Sequence, residues 1–103
     1  MKIEISSGNI YEDLGFANAR GMQLKAILVM AISDVIGLQE LTLTEAAERM
    51  NMPQPKVSLM LRGMFRGIPV EKVLDCLQRL GQNVNISVSP AKRANAARIT
   101  VTP

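Results

Sequence analysis

The sequence predicts a mainly α domain: a helix-turn-helix bundle of about five helices with a short C-terminal β-strand. Three observations predict it. Helical spacing of apolar residues runs through 18–38 and 70–80. Between them, Thr42 to Gly63 (TLTEAAERMNMPQPKVSLMLRG) reads as two short helices joined by a tight turn. Asn83 to Ser89 (NVNISVS) alternates strictly, with Val84, Ile86 and Val88 on one face, which is strand patterning.

The first short helix opens on a capping box, in which Thr42 bonds the N–H three residues on and Glu45 reaches back to the N–H of Thr42. Ala46, Ala47 and Met50 then face inward with Leu43. Asn51 tolerates the left-handed conformation of a sharp helix exit. Pro53 bars continuation, and Pro55 suits the first turn of the next helix, where its missing N–H costs nothing. At about 100° per residue, Val57, Met60 and Leu61 fall on one arc of that second helix. Gln54, Pro55, Ser58, Leu59 and Arg62 fall on the opposite arc, with Lys56 at the border. Gln pairs with adenine, Arg with guanine and Ser with several base edges, so this outer face has the chemistry of a helix lying in a DNA major groove. An ordinary amphipathic helix has a solvated polar face too. The capped helix, the turn and the local charge weigh against that simpler account.

Charge is unevenly placed. The net value is only +3, but residues 1–48 carry three bases against seven acids and residues 49–103 nine bases against two. From Arg49 through Gly67 there are Arg49, Lys56, Arg62 and Arg66 with no acid, as a phosphate-facing surface requires.

Lys2 to Ile5 alternates, as an edge strand or as a leader. Asn9 or Ser7 is placed to cap a short helix over 10–14, stopped by Gly15, with Tyr11, Leu14 and Phe16 packing on the domain. Asn18 to Leu38 is the longest helix, with Leu24, Leu28, Ala31, Val35 and Leu38 on one strip, flanked by Ile27, Met30 and Asp34 and by Val29, Ile32 and Ile36. So wide an apolar arc suits a central helix with one strip covered by the N-terminal segment or a partner. Gly37 fits its termination. Phe65 anchors the loop 64–69, where Arg66 is placed to meet a phosphate, as is Lys72 beyond it. Val70, Val73, Leu74, Leu77 and Leu80 form the last helical stripe, stopped by Gly81. The strand at 83–89 needs a partner: Ile3 and Ile5, Ile99 and Val101, or its twin across a two-fold axis. Residues 91–98 are a basic short helix or tail. The expected division is 1–20 as an N-terminal extension, 21–82 as the DNA-binding domain, and 83–103 as strand and basic tail.

Composition limits the chemistry. With no histidine and one cysteine among 103 residues, His-based acid–base catalysis, a His-containing zinc site and an internal disulfide are excluded within the chain. No nucleophile stands beside a base, and no Gly-rich phosphate loop is present, so no enzyme, metal or cofactor is expected. Cys76 reads as a small buried thiol. No apolar run reaches the roughly 20 residues of a membrane span, and the lone cysteine fits a reducing cytoplasm.

Residues 44–63 resemble the helix-turn-helix of Cro/repressor-type (XRE) regulators, which implies a lambda-repressor-like bundle. SGNIYEDLGFANA at 7–19, QPKVSLMLRGMFRG at 54–67 and LGQNVNISV at 80–88 resemble HigA-type antitoxins. Leu43 departs from that pattern, standing where the family often has a Gln that touches DNA, and Asn51 replaces the frequent turn Gly. The resemblance implies a homodimer on a palindromic double-stranded DNA operator, repressing its own operon, with a small RelE- or HigB-like ribonuclease toxin as partner. Gln54, Ser58 and Arg62 are expected to read bases, Pro55 and Leu59 to touch thymine methyls, and Thr44, Lys56 and Arg66 to contact phosphates. Two alternatives remain: a stand-alone or phage-type regulator without a toxin, and a protein-interaction module with a vestigial helix-turn-helix, which Leu43 favours.

Overall fold

The computed structural model describes residues 3–5, 19–88, 90 and 99–101. Their order is β1 (Ile3–Ile5), α1 (Ala19–Leu38), α2 (Leu43–Met50), α3 (Gln54–Leu61), α4 (Val70–Arg79) and β2 (Ile99–Val101). Four helices are thus described where about five were expected; the short helix expected over 10–14 lies outside the described residues, as does the tail 91–98.

The core sits where α1, α2, α3 and α4 meet. Leu28 and Ile32 of α1, Met50 of α2, Val57 and Met60 of α3, and Val73 and Cys76 of α4 are its most deeply buried side chains. Ala46 and Ala47 let α2 approach its neighbours closely, and Phe65 pins the loop after α3, as its bulk predicts. Ile27, on the opposite side of α1 from Lys25, is buried as well. The strip of α1 through Met30, Asp34 and Leu38 stays exposed, Leu38 at 84 %. This corrects the expectation that Leu38 extends the packed stripe: it lies on the far side of the helix from Ile32. Gly21–Leu38 is long and apolar enough to cross a membrane by length and composition, contrary to the expectation that no run qualifies. In this fold its inner face is the seat of the bundle.

All four helices close in the same way. The residue after the last turn is left-handed at Glu40 (φ 53°), Asn51 (54°), Gly63 (95°) and Gly81 (83°). In each case the next N–H bonds back five residues, as from Leu41 to Ile36 and from Met52 to Ala47, both at 3.0 Å. Asn51 behaves as expected. For α1 the left-handed position falls on Glu40 rather than at Gly37, so the helix runs past its glycine.

The C-terminal strand is not where alternation placed it. Residues 83–88 form no strand, and Asn85 alone makes a β-bridge. Val84 is drawn onto the helical core, while Ile86 and Val88 stand exposed at 78 % and 94 %. Alternation supplies two faces, but a strand also requires a neighbour for its backbone. That neighbour is taken: β1 and β2 pair antiparallel, with Ile3 opposite Val101 and Ile5 opposite Ile99. This small ladder packs against α1.

The capping box on α2 is complete. Thr42 N–H donates to Glu45 Oε1 at 2.9 Å, and Glu45 N–H donates to Thr42 Oγ1 at 3.1 Å. The backbone bond from Thr42, then its side chain, then Arg49, hold the Glu45 carboxyl below the ordinary carboxylate range. A group whose pKa is lowered on folding contributes stability above its unfolded pKa and loses that contribution as pH falls through the folded value. Acidification from about pH 4 downward is therefore expected to weaken the start of α2. Thermal melts of Glu45→Gln across this range should show a shallower acid limb than the unaltered chain; identical slopes would refute the assignment.

Candidate nucleic-acid interface

The surface is built by α2, its exit turn and α3. Asn51 and Met52 reverse the chain, with Met52 buried as an anchor. Pro53 then starts α3, its carbonyl accepting from the N–H groups of Lys56 and Val57. Val57 and Met60 are wholly buried and Leu61 is half-buried, which fixes the rotation of α3. The opposite side therefore faces outward: Gln54, Pro55, Lys56, Leu59 and Arg62 are exposed and Ser58 is half-exposed. No acid lies in the first turn of α3, so nothing there opposes an approaching phosphate.

The expected contact residues differ in their surroundings. Lys56 makes no hydrogen bond or ion pair among the described residues. Arg62 Nε donates to the carbonyl of Ser58 at 3.4 Å, which lays its guanidinium along the helix. Thr44, exposed on α2, donates from Oγ1 to Gln54 Oε1 at 3.1 Å. The two residues also line a shallow groove with Glu48, Asn51 and Pro53. Arg66 is exposed in the loop after α3.

That loop is held by a contact the sequence does not advertise. Lys25 is only 8 % exposed, and its Nζ donates to the backbone carbonyl of Arg66 at 3.0 Å. Its spacing with Leu28, Val29 and Ile32 puts it on the buried stripe of α1, and that is the one signal that marks it. Lys72, expected to be free for phosphate, is instead half-buried. Its Nζ donates to the carbonyl of Met50 at 3.2 Å and to Asp75 at 3.3 Å. An ammonium at the C-terminus of α2 suits the helix dipole and caps an orphan carbonyl, so Lys72 joins α4 to the reading unit. Asp75 also takes Arg79 at 2.8 Å, and these cations, Arg79 first, keep its carboxyl ionised to lower pH than usual. Arg49 donates to Gln39 Oε1 at 3.1 Å, and Gln39 Nε2 donates to the Leu80 carbonyl at 2.9 Å, linking α2 to the ends of α1 and α4. Leu43, the departure from the family pattern, is half-buried against the core. Cys76 is fully buried with Sγ 3.4 Å from Met52 Sδ, and burial pushes its thiol pKa up, which disfavours the thiolate.

Two helices crossing at a left-handed turn, the second rotated to show a polar, acid-free side, define a helix-turn-helix protein. The comparisons agree: the family model described as a helix-turn-helix domain matches residues 10–89. A solved structure carrying the provisional name XRE family transcriptional regulator is similar with a TM-score of 0.71 and 34 % identity, over 78 % of this chain and 90 % of that one. No curated protein matches the chain. The chain belongs to the XRE family of helix-turn-helix proteins.

Proposed function

We propose that this protein is a sequence-specific, DNA-binding transcriptional repressor that inserts α3 into the major groove of an operator. The observation that carries the reading is the rotation of α3. Burial of Val57 and Met60 turns Gln54, Ser58 and Arg62 outward together, and these are base-reading side chains. Pro55 and Leu59 offer apolar contact to thymine methyls. Lys56 and Arg66 flank the strip and meet phosphates, with Thr44 on the adjoining helix. Two copies place their α3 helices in successive grooves, about 34 Å apart, on a palindrome. The exposed aliphatics Ile86 and Val88 suit the contact between those copies.

The test separates phosphate contacts from base contacts. Lys56→Ala is expected to weaken binding to every duplex alike and to reduce the salt slope by about one. A loss confined to particular sequences would reassign Lys56 to base reading. A chain with neither a site preference nor a steep salt dependence would instead be an interaction module.

The finer reading is an antitoxin acting in the cytoplasm, which represses its own operon and neutralises a RelE- or HigB-like toxin. Its support is the likeness of residues 7–19, 54–67 and 80–88 to HigA-type antitoxins. Purification of the native protein with its bound partners tests it. Recovery of a small ribonuclease together with operator DNA supports the antitoxin; operator DNA alone supports a stand-alone regulator.

A further inference from the structure

Lys25 is the one charged side chain buried among the described residues, and its Nζ donates to the carbonyl oxygen of Arg66 at 3.0 Å. An ammonium removed from water is costly unless it meets acceptors, so packing alone does not account for a lysine at this place on α1. The carbonyl belongs to the middle of a tight turn. Ile68 N–H donates to the Phe65 carbonyl at 3.0 Å, which leaves Arg66 and Gly67 as the two central residues. Phe65 and Ile68 are buried and fix the ends of the turn, whereas Arg66 and Gly67 are exposed. The central peptide of such a turn can face either way. Types I and II differ chiefly by its reversal, and type II needs positive φ at the second central residue, which glycine supplies. Gly67 thus leaves both forms open to the chain, and the structure holds the form in which Gly67 is not left-handed.

We infer that Lys25 is a positioning residue for contact with the DNA backbone: it selects the form of the 65–68 turn that presents the Gly67 N–H to a phosphate beside Arg66. This rests on the DNA-binding reading and its assignment of Arg66 to phosphate. An ammonium only donates and a carbonyl only accepts, so the polarity of the contact is fixed. Turning the peptide over would set the Gly67 N–H, a second donor, toward Nζ. The peptide is trans, so with its oxygen on Lys25 its N–H points the other way, out of the domain. That N–H has no acceptor among the described residues, and beyond the chain neighbours nothing lies within 4 Å of where a Cβ on Gly67 would stand. A phosphate oxygen can therefore reach it, with the Arg66 guanidinium supplying the charge. Lys25 itself touches neither base nor phosphate; it acts through the peptide that it holds.

The test uses the full chain with a duplex that it selects from a randomised DNA pool, and with single-base-pair variants of that duplex. Lys25→Met keeps the length of the side chain and removes the donor. It is expected to weaken binding about fivefold on every one of these duplexes, the weight of one hydrogen bond on the equilibrium between two turn forms. The salt slope is expected to stay unchanged, because the lysine neutralises no phosphate. Gly67→Ala penalises the left-handed conformation that the turned-over peptide needs, so in that background Lys25→Met is expected to cost less than about twofold. Nuclear magnetic resonance reads the turn directly. The Overhauser contact between Arg66 Hα and the Gly67 N–H should strengthen in Lys25→Met, and the Gly67 N–H of the unaltered chain should shift downfield when the duplex is added. The second of these needs no variant, so it stands even where Lys25→Met does not fold. Unchanged affinity in Lys25→Met, a salt slope reduced by about one, an equal loss in both backgrounds, or a Gly67 N–H that does not respond to DNA each overturns the inference. If the unaltered chain binds no duplex, the DNA reading itself fails and takes this inference with it. If the chain selects a site and these results are absent, only the inference falls.

Discussion

Ile32→Ala is expected to lower the unfolding free energy by about 2–5 kcal/mol, the usual cost of emptying a large aliphatic site that cannot collapse. Ile32 is wholly buried in α1, within the core cluster to which α2, α3 and α4 also contribute. A domain of this size holds only about 5–15 kcal/mol in total, so the loss is a large share of it. The melting midpoint should fall by roughly 10 °C or more. Denaturant titration with an unchanged slope would place the loss in native packing. A midpoint within 2 °C or so of the unaltered chain would mean that α1 is not the seat of the core.

Gln54→Ala should produce the largest effect on recognition. Gln54 begins α3 on its exposed side and is held by Thr44, so truncation removes a side chain already placed for contact. The expected cost is about 1–3 kcal/mol at one base pair of the selected site, with binding to unrelated DNA unchanged. The helix itself should survive, because its rotation is fixed by Val57 and Met60 on the other side. Equal weakening on selected and random duplexes would show that Gln54 touches the backbone and not a base.

What could be read in the chain alone was local. The Thr42–Glu45 box, the left-handed Asn51, the Pro53 and Pro55 start of α3 and its two arcs are each written within a few neighbouring residues, and the backbone there obeys those residues. What could not be read depends on partners distant in sequence. Lys72 looked free because the Met50 carbonyl that it caps lies in another helix. The burial of Lys25 could not be foreseen because its acceptor is a loop carbonyl far down the chain. The strand pattern at 83–88 was the strongest by alternation, yet the ladder formed between Ile3–Ile5 and Ile99–Val101, since pairing is decided by which segments the helices bring together. For the interface, composition and spacing named the outward residues of α3, but only packing showed that Thr44 engages Gln54.

The ladder of Ile3–Ile5 with Ile99–Val101 has a consequence for the order of folding. Its two strands flank the four helices in sequence, so pairing them closes a loop that contains the whole bundle. The entropy cost of closing a loop rises with its length. Packing of α1 on α4 meets much of that cost beforehand, because it draws the two flanking segments toward each other. The ladder is therefore expected to zip late, as a clasp on helices that have already assembled.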